Sequence, residues 1–214
     1  MHKYLTEFIG TFFLVLTIGL AIGYAGNLAP LAIGASLMVM VYMGGHVSGA
    51  HYNPAVSLAA CLRGKLCPTD LAIYVVVQVA GAFAASLASY LIRDTTFAPA
   101  PGPGVSRQAA LLVEFLYTFA LALVVLSTAT AKKAEGNSYF GLAIGFTVCA
   151  AAFAGGSVSG GAFNPAVGTG PTIVHAIWGT GTYEFLWFYW AAPLAGGALA
   201  AGVFKIQEAG ANAA

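Results

Sequence analysis

Apolar residues run along this chain in long stretches broken by Gly, Pro or an isolated charge, and their lengths approach what a membrane crossing needs. A hydrocarbon core about 30 Å thick takes roughly 20 helical residues. The pattern predicts spans at Tyr4–Tyr24, Leu31–Gly45, Thr69–Ile92, Ala109–Ala131, Ser138–Gly155 and Glu184–Phe204. Lys3 before the first run and Ala21-Ile22-Gly23 near its end give it the outline of a secretory signal. Glu7 lies inside the run, however, and the run exceeds the usual signal core of about 7–15 residues, so it is read as a retained helix. The segment Ala98-Pro99-Ala100-Pro101-Gly102-Pro103-Gly104 cannot be helical and divides the chain into two halves.

The halves repeat one another. Glu7-Phe8-Ile9-Gly10-Thr11-Phe12 returns as Glu114-Phe115-Leu116-Tyr117-Thr118-Phe119. The thirteen residues from Gly44 to Val56 return, without a gap and identical at nine places, from Gly155 to Val167. A weaker echo pairs Val79-Ala80-Gly81-Ala82 with Leu194-Ala195-Gly196-Gly197. Each half therefore holds three spans and one short segment, and an odd number of crossings inserts the second half upside down. The expected fold is an all-α membrane protein with six transmembrane helices plus two re-entrant half-helices. It forms a single domain, 1–214, of inverted repeats at approximately 1–94 and 107–214.

Composition agrees with a membrane solvent: 59% of residues are apolar and 7% charged, against about 45–50% and about 25% in soluble domains. Eight basic residues against seven acidic ones leave no basic face, which excludes nucleic acid as a partner. With both termini cytoplasmic, Lys3, Arg63, Lys65, Lys132, Lys133 and Lys205 lie inside and only Arg93 and Arg107 outside, as the positive-inside rule requires. Short termini and loops suggest a prokaryotic plasma membrane. Cys61, Cys67 and Cys149 form no CxxC pair and read as packing residues.

The chemistry lies in the repeated Asn53-Pro54-Ala55 and Asn164-Pro165-Ala166. Asn is a favoured helix N-cap and Pro suits the first helical position, so each motif opens a helix. From Asn53 to about Leu62 the chain spans roughly half the hydrocarbon core, which makes a half-helix. Inverted symmetry brings the two N-termini together near the midplane, where partial positive charge and two amide groups face a central path. Donors there suit the oxygen of water or a hydroxyl group and repel cations.

On these residues, and most specifically on the run from His46 to Val56, the chain resembles the aquaporin and glycerol-facilitator family over nearly its whole length. The resemblance implies six tilted helices around two re-entrant half-helices, a homotetramer with one pore per subunit, and no cofactor. Family spacing places the selectivity filter at Ile33, Ala152, Gly161 and Val167. Family members usually carry Arg where this chain has Val167, so the filter loses its cation and becomes wider and more apolar. The Asp that often follows in glycerol facilitators is replaced by Gly168, whereas Tyr189-Trp190 resembles the water-selective branch. The implied activity is passive conduction of water, with glycerol-sized or peroxide-like neutral solutes besides.

Glu7 and Glu114 are costly inside spans and recur in register, which points to a shared task of accepting hydrogen bonds from the irregular backbone before each half-helix. The family resemblance points the same way. His46 and His51 are five apart, without a zinc-ligand pattern, and read as structural histidines under the loop. His175 reads as an unpaired loop residue, Gln78 as an interhelical hydrogen bond, and Trp187-Phe188-Tyr189-Trp190 as interface or lipid-facing aromatics. Three other classes remain in view. A secondary transporter calls for coupling charges that the interior lacks, and an intramembrane hydrolase on Ser48 and His51 leaves the repeat unexplained. A non-conducting junction protein could retain every motif.

Overall fold

Each apolar stretch folds as a helix, and each Asn-Pro-Ala opens another. The computed structural model describes residues 1–213. Its helices are α1 (His2–Tyr24), α2 (Ala29–Ser48), α3 (Pro54–Leu62), α4 (Pro68–Arg93), α5 (Arg107–Ala129), α6 (Phe140–Ser159), α7 (Pro165–Trp178) and α8 (Phe188–Ala213). Single 3-10 turns at Gly26–Leu28 and Lys132–Ala134 join α1 to α2 and α5 to α6. Among the described residues five helices are long and apolar enough to cross a membrane: α1, α2 with its preceding turn, α4, α5 and α6. The sixth crossing is α8, whose 26 residues are diluted by Gly196, Gly197, Pro193 and Lys205. It matches α4 in length and packs on α5 as α4 packs on α1.

Some boundaries differ from the pattern reading, each for a local reason. Helices α2 and α6 continue through their glycine pairs to Ser48 and Ser159 and stop only at Gly49 (φ 85°) and Gly160 (φ 86°). Both glycines take the left-handed conformation that ends a helix, which costs them no Cβ clash. The last helix begins at Phe188, not Glu184, because residues 183–187 form turns. The half-helices are unequal, nine residues in α3 and fourteen in α7.

Ion pairs and hydrogen bonds report the direction of the chain. Lys3 meets Asp70 at 2.6 Å, joining the start of α1 to the start of α4, and Arg93 donates to the carbonyl of Gly19 at their far ends. Arg107 meets Glu184 at 2.7 Å, joining the start of α5 to the segment before α8. Each half is thus built alike, and α2 against α6 forms the main seam between them.

Within each half the helices touch through glycine. A Cβ on Gly81 would lie 2.6 Å from the Phe8 carbonyl oxygen of α1, and a Cβ on Gly196 would lie 2.5 Å from the Phe115 carbonyl oxygen of α5. Lipid supplies no hydrophobic drive between helices, so close backbone approach and dispersion must hold them together. Gly81→Val and Gly196→Val should therefore each cost about 1–3 kcal/mol through overpacking. Thermal melting in detergent should show both destabilised, while Gly202→Ala, with open space around that position, melts as the parent does. Parental melting of both valine variants would refute the close-packing account.

Candidate functional site

The two half-helices begin alike. Asn53 (φ −156°, ψ 121°) and Asn164 (φ −162°, ψ 116°) are extended, each followed by Pro at the first helical position. The side-chain oxygen of Asn53 accepts from Ala55 N at 2.8 Å, and that of Asn164 from Ala166 N at 2.9 Å. Each amide nitrogen then crosses to the other half: Asn53 Nδ2 donates to the Phe163 carbonyl at 2.9 Å and Asn164 Nδ2 to the Tyr52 carbonyl at 2.8 Å. A carboxamide nitrogen carries two protons, so one N–H of each remains for the cavity that both residues line.

The approach to each half-helix is strained. Ala50 (φ 51°), Tyr52 (φ 50°) and Phe163 (φ 49°) are non-glycine residues in the left-handed region, a conformation that costs about 1–2 kcal/mol per residue. Two fully buried carboxylates hold them. Glu7 accepts from Ser48 Oγ (2.7 Å), His51 N (2.9 Å), Tyr52 N (2.6 Å) and Gln78 Nε2 (2.8 Å). Glu114 accepts from Ser159 Oγ (2.7 Å), Ala162 N (3.0 Å) and Phe163 N (2.6 Å). Tyr74 and Tyr189 complete each turn by donating to the carbonyls of Ser48 and Ser159 at 2.8 and 2.6 Å.

A cavity of about 470 Å³ opens beside the paired Asn residues. Ile33, Ala152, Gly161 and Val167 all line it, together with Asn53 and Asn164. It reaches the linker, where Phe97, Ala98 and Pro99 form part of the wall. That linker is fastened by Gly102 N donating to the Val158 carbonyl at 3.1 Å. A second cavity of about 980 Å³ lies on the side of Arg63, Lys65, Lys132 and Glu208. His51, Val125 and Ile144 line both, so the two cavities meet there. Among the described residues no cluster of His, Cys, Asp and Glu could hold a metal ion.

Several sequence expectations are corrected by packing. Phe188 and Tyr189 are fully buried, and Trp190 Nε1 donates to Thr169 Oγ1 at 2.9 Å; only Trp187 of that cluster is exposed, at 52%. An unbroken aromatic run on a helix must face several directions, so the run as a whole cannot face lipid. His175 belongs to α7 and has a partner, Thr96 Oγ1 at 2.7 Å. His46 is exposed on α2 and does not sit under the loop. Cys149 is buried, but Cys67 is exposed and caps α4 by accepting from Asp70 N. The roles of Ser48, Ser159, Tyr74 and Tyr189 were missed, although the two serines repeat in register.

Replacing Glu114 by Leu would strand the amides of Ala162 and Phe163, at about 1–3 kcal/mol each, and leave Ser159 Oγ only its longer bond to the Gly155 carbonyl as donor. Glu114→Leu should lower the melting temperature and folded yield sharply. An unchanged melt, coupled with loss of a pH-dependent flux, would instead make Glu114 a proton relay.

Comparison with known proteins bears on this geometry. The family model described as "Major intrinsic protein" matches residues 1–204. "Aquaporin NIP1-4" of Oryza sativa subsp. japonica is 36% identical over 96% of this chain and 77% of its own length. "Aquaporin TIP1-2" of Zea mays is 38% identical over 92% of this chain and 77% of its own. In fold, the chain superposes on the aquaglyceroporin from Plasmodium falciparum with a TM-score of 0.83, covering 95% of this chain and 94% of that one at 20% identity. These plant relatives lend no support to the expected prokaryotic plasma membrane. The protein is an integral, multi-pass membrane protein, and it belongs to the major intrinsic protein family, whose aquaporins are channels for water and small solutes and not enzymes.

Proposed function

We propose that the two cavities form one conducting path, for water first and for small uncharged solutes such as glycerol or hydrogen peroxide besides. The observation that carries this reading is the reciprocal pair of Asn side chains, capping two opposed half-helices and lining the same cavity. Each half-helix contributes partial positive charge of roughly half a unit at its N-terminus, and the spare amide protons are donors without acceptors beside them. Water and hydroxyl oxygens meet donors, while a cation there meets positive potential, with no carboxylate on the wall of the smaller cavity to replace its hydration.

Selectivity by size is assigned to Ile33, Ala152, Gly161 and Val167. All four are apolar and line the same cavity as the Asn pair. Without the cation that relatives of this family usually carry at the place of Val167, the constriction discriminates by diameter and by the cost of stripping water, far greater for an ion than for a neutral molecule. Glu7 and Glu114 support the half-helices, and His51 and Gln78 stand with Glu7. A coupled transporter fits less well, because among the described residues His51 is the only ionisable side chain on the wall of the smaller cavity apart from the Tyr52 phenol. The favoured setting is a homotetramer with one path per subunit and both termini in the cytoplasm, the side that receives six of the eight basic residues.

Two measurements test the reading in reconstituted vesicles. Asn53→Leu or Asn164→Leu should remove water flux above the lipid background while insertion persists; parental flux through an inserted variant would refute the central path. Val167→Arg should reduce glycerol permeability more than water permeability, followed by light scattering under sucrose and glycerol gradients. Equal fractional losses for the two solutes would show that this position does not set the size limit.

A further inference from the structure

The two halves brace their half-helices alike but differ at one place. Glu7 has a fourth donor, Gln78 Nε2, where Glu114 has only three. By the repeat, His51 corresponds to Ala162 and Ser57 to Gly168; the register of Tyr74 with Tyr189 and Gly81 with Gly196 sets Gln78 opposite Pro193. Three polar residues of the first half are thus all apolar in the second. They touch one another: Gln78 Nε2 lies 3.0 Å from Ser57 Oγ, and Ser57 Oγ lies 3.1 Å from His51 Nδ1. Since Glu114 holds its turn without such a set, the set is not needed for bracing.

Proton counting gives the set a direction. Gln78 Nε2 has two protons, one for Glu7 Oε2 and one for Ser57 Oγ. Turning the amide over would place Oε1 against a carboxylate oxygen, acceptor against acceptor. The orientation shown instead leaves Oε1 buried with no partner, a cost of about 1–3 kcal/mol that the carboxylate contact outweighs. Ser57 Oγ therefore receives a proton from Gln78, and among the described residues the acceptor at hydrogen-bond distance for its own is His51 Nδ1. With Nδ1 an acceptor, the ring proton sits on Nε2. That atom has no protein partner among the described residues; it lies beside Gly49, which lines the second cavity as His51 does.

We propose that Gln78 and Ser57 are positioning residues that lock His51 as the Nε2–H tautomer, so that it offers the path a donor at the neck between the two cavities and no lone pair. Building on the conducting path proposed above, this keeps the imidazole out of proton traffic. A proton arriving along a water file needs a lone pair on the ring; Nε2 has none to give, and the pair on Nδ1 is engaged by Ser57. The device lies where the second cavity begins, whereas Ile33, Ala152, Gly161 and Val167 line the smaller cavity only, and it is confined to the first half of the repeat.

The test is nitrogen-15 NMR of His51 in the full-length protein in lipid nanodiscs, above the pH at which the ring is charged. The wild type should show the Nε2–H form alone. Ser57→Ala should shift the ratio toward Nδ1–H by about tenfold, the size of one lost hydrogen bond, and should raise proton leak in dye-loaded vesicles while water flux persists. A wild-type ring protonated at Nδ1 overturns the proposal even if no variant folds. A tautomer shift with unchanged proton leak also overturns it. The NMR result is independent of conduction, so absence of water flux would sink the conducting path and leave the tautomer assignment to stand or fall separately.

Discussion

Two buried carboxylates carry the architecture. The chain must turn back inside a medium with no water, and the turn exposes amides that no helix can satisfy; leaving them unpaired would cost several kcal/mol each. Glu7 and Glu114 each collect two consecutive amides and a serine hydroxyl, which compensates the left-handed strain at Ala50, Tyr52 and Phe163. Once those turns are held, the position of each Asn-Pro-Ala follows, because Asn53 and Asn164 come directly after the residues that the carboxylates hold. Their cross-donation to Phe163 and Tyr52 then ties the two turns to each other.

Close packing around that centre serves the same end. A carboxylate on α1 can reach a loop after α2 only if α1, α2 and α4 lie near one another, and Gly81 removes the Cβ that would hold α4 away from Phe8. Gly196 does so against Phe115 in the second half. Tyr74 and Tyr189, from the same two helices, finish the turns from the other side. Helix contact, loop strain and cavity wall are therefore one constraint, shared twice through the repeat.

The repeat keeps the serine and the two amides of each brace and breaks at the residues around them. Three of the differences between the halves fall on residues that line the cavities or act on those that do: His51 against Ala162, Ser57 against Gly168, Gln78 against Pro193. Duplication accounts for the scaffold, while the two cavities differ in chemistry. On one side stand apolar residues of small or moderate size; on the other stand a histidine and a vestibule with Arg63, Lys65 and Glu208.

Much of this was legible in the sequence because lipid imposes a one-dimensional rule: apolar length gives the spans, and a thirteen-residue repeat gives the inversion. Asn before Pro specified the half-helix starts, since capping is a local property of a few residues. The recurrence of Glu7 and Glu114 in register pointed to a common task. Helix ends at Gly49 and Gly160 were misplaced because glycine is as compatible with a transmembrane helix as with its termination, and only the left-handed φ distinguishes them. The burial of Phe188 and Tyr189, the Thr96 partner of His175 and the exposure of His46 depended on which helix face meets a neighbour. Sequence determined the elements, their inversion and the residues that open the half-helices, all of them local or repetitive. Tertiary structure alone decided the hydrogen-bond partners, from the crossed Asn pair to the Gln78, Ser57 and His51 set, because donors and acceptors far apart along the chain meet only when the helices have packed.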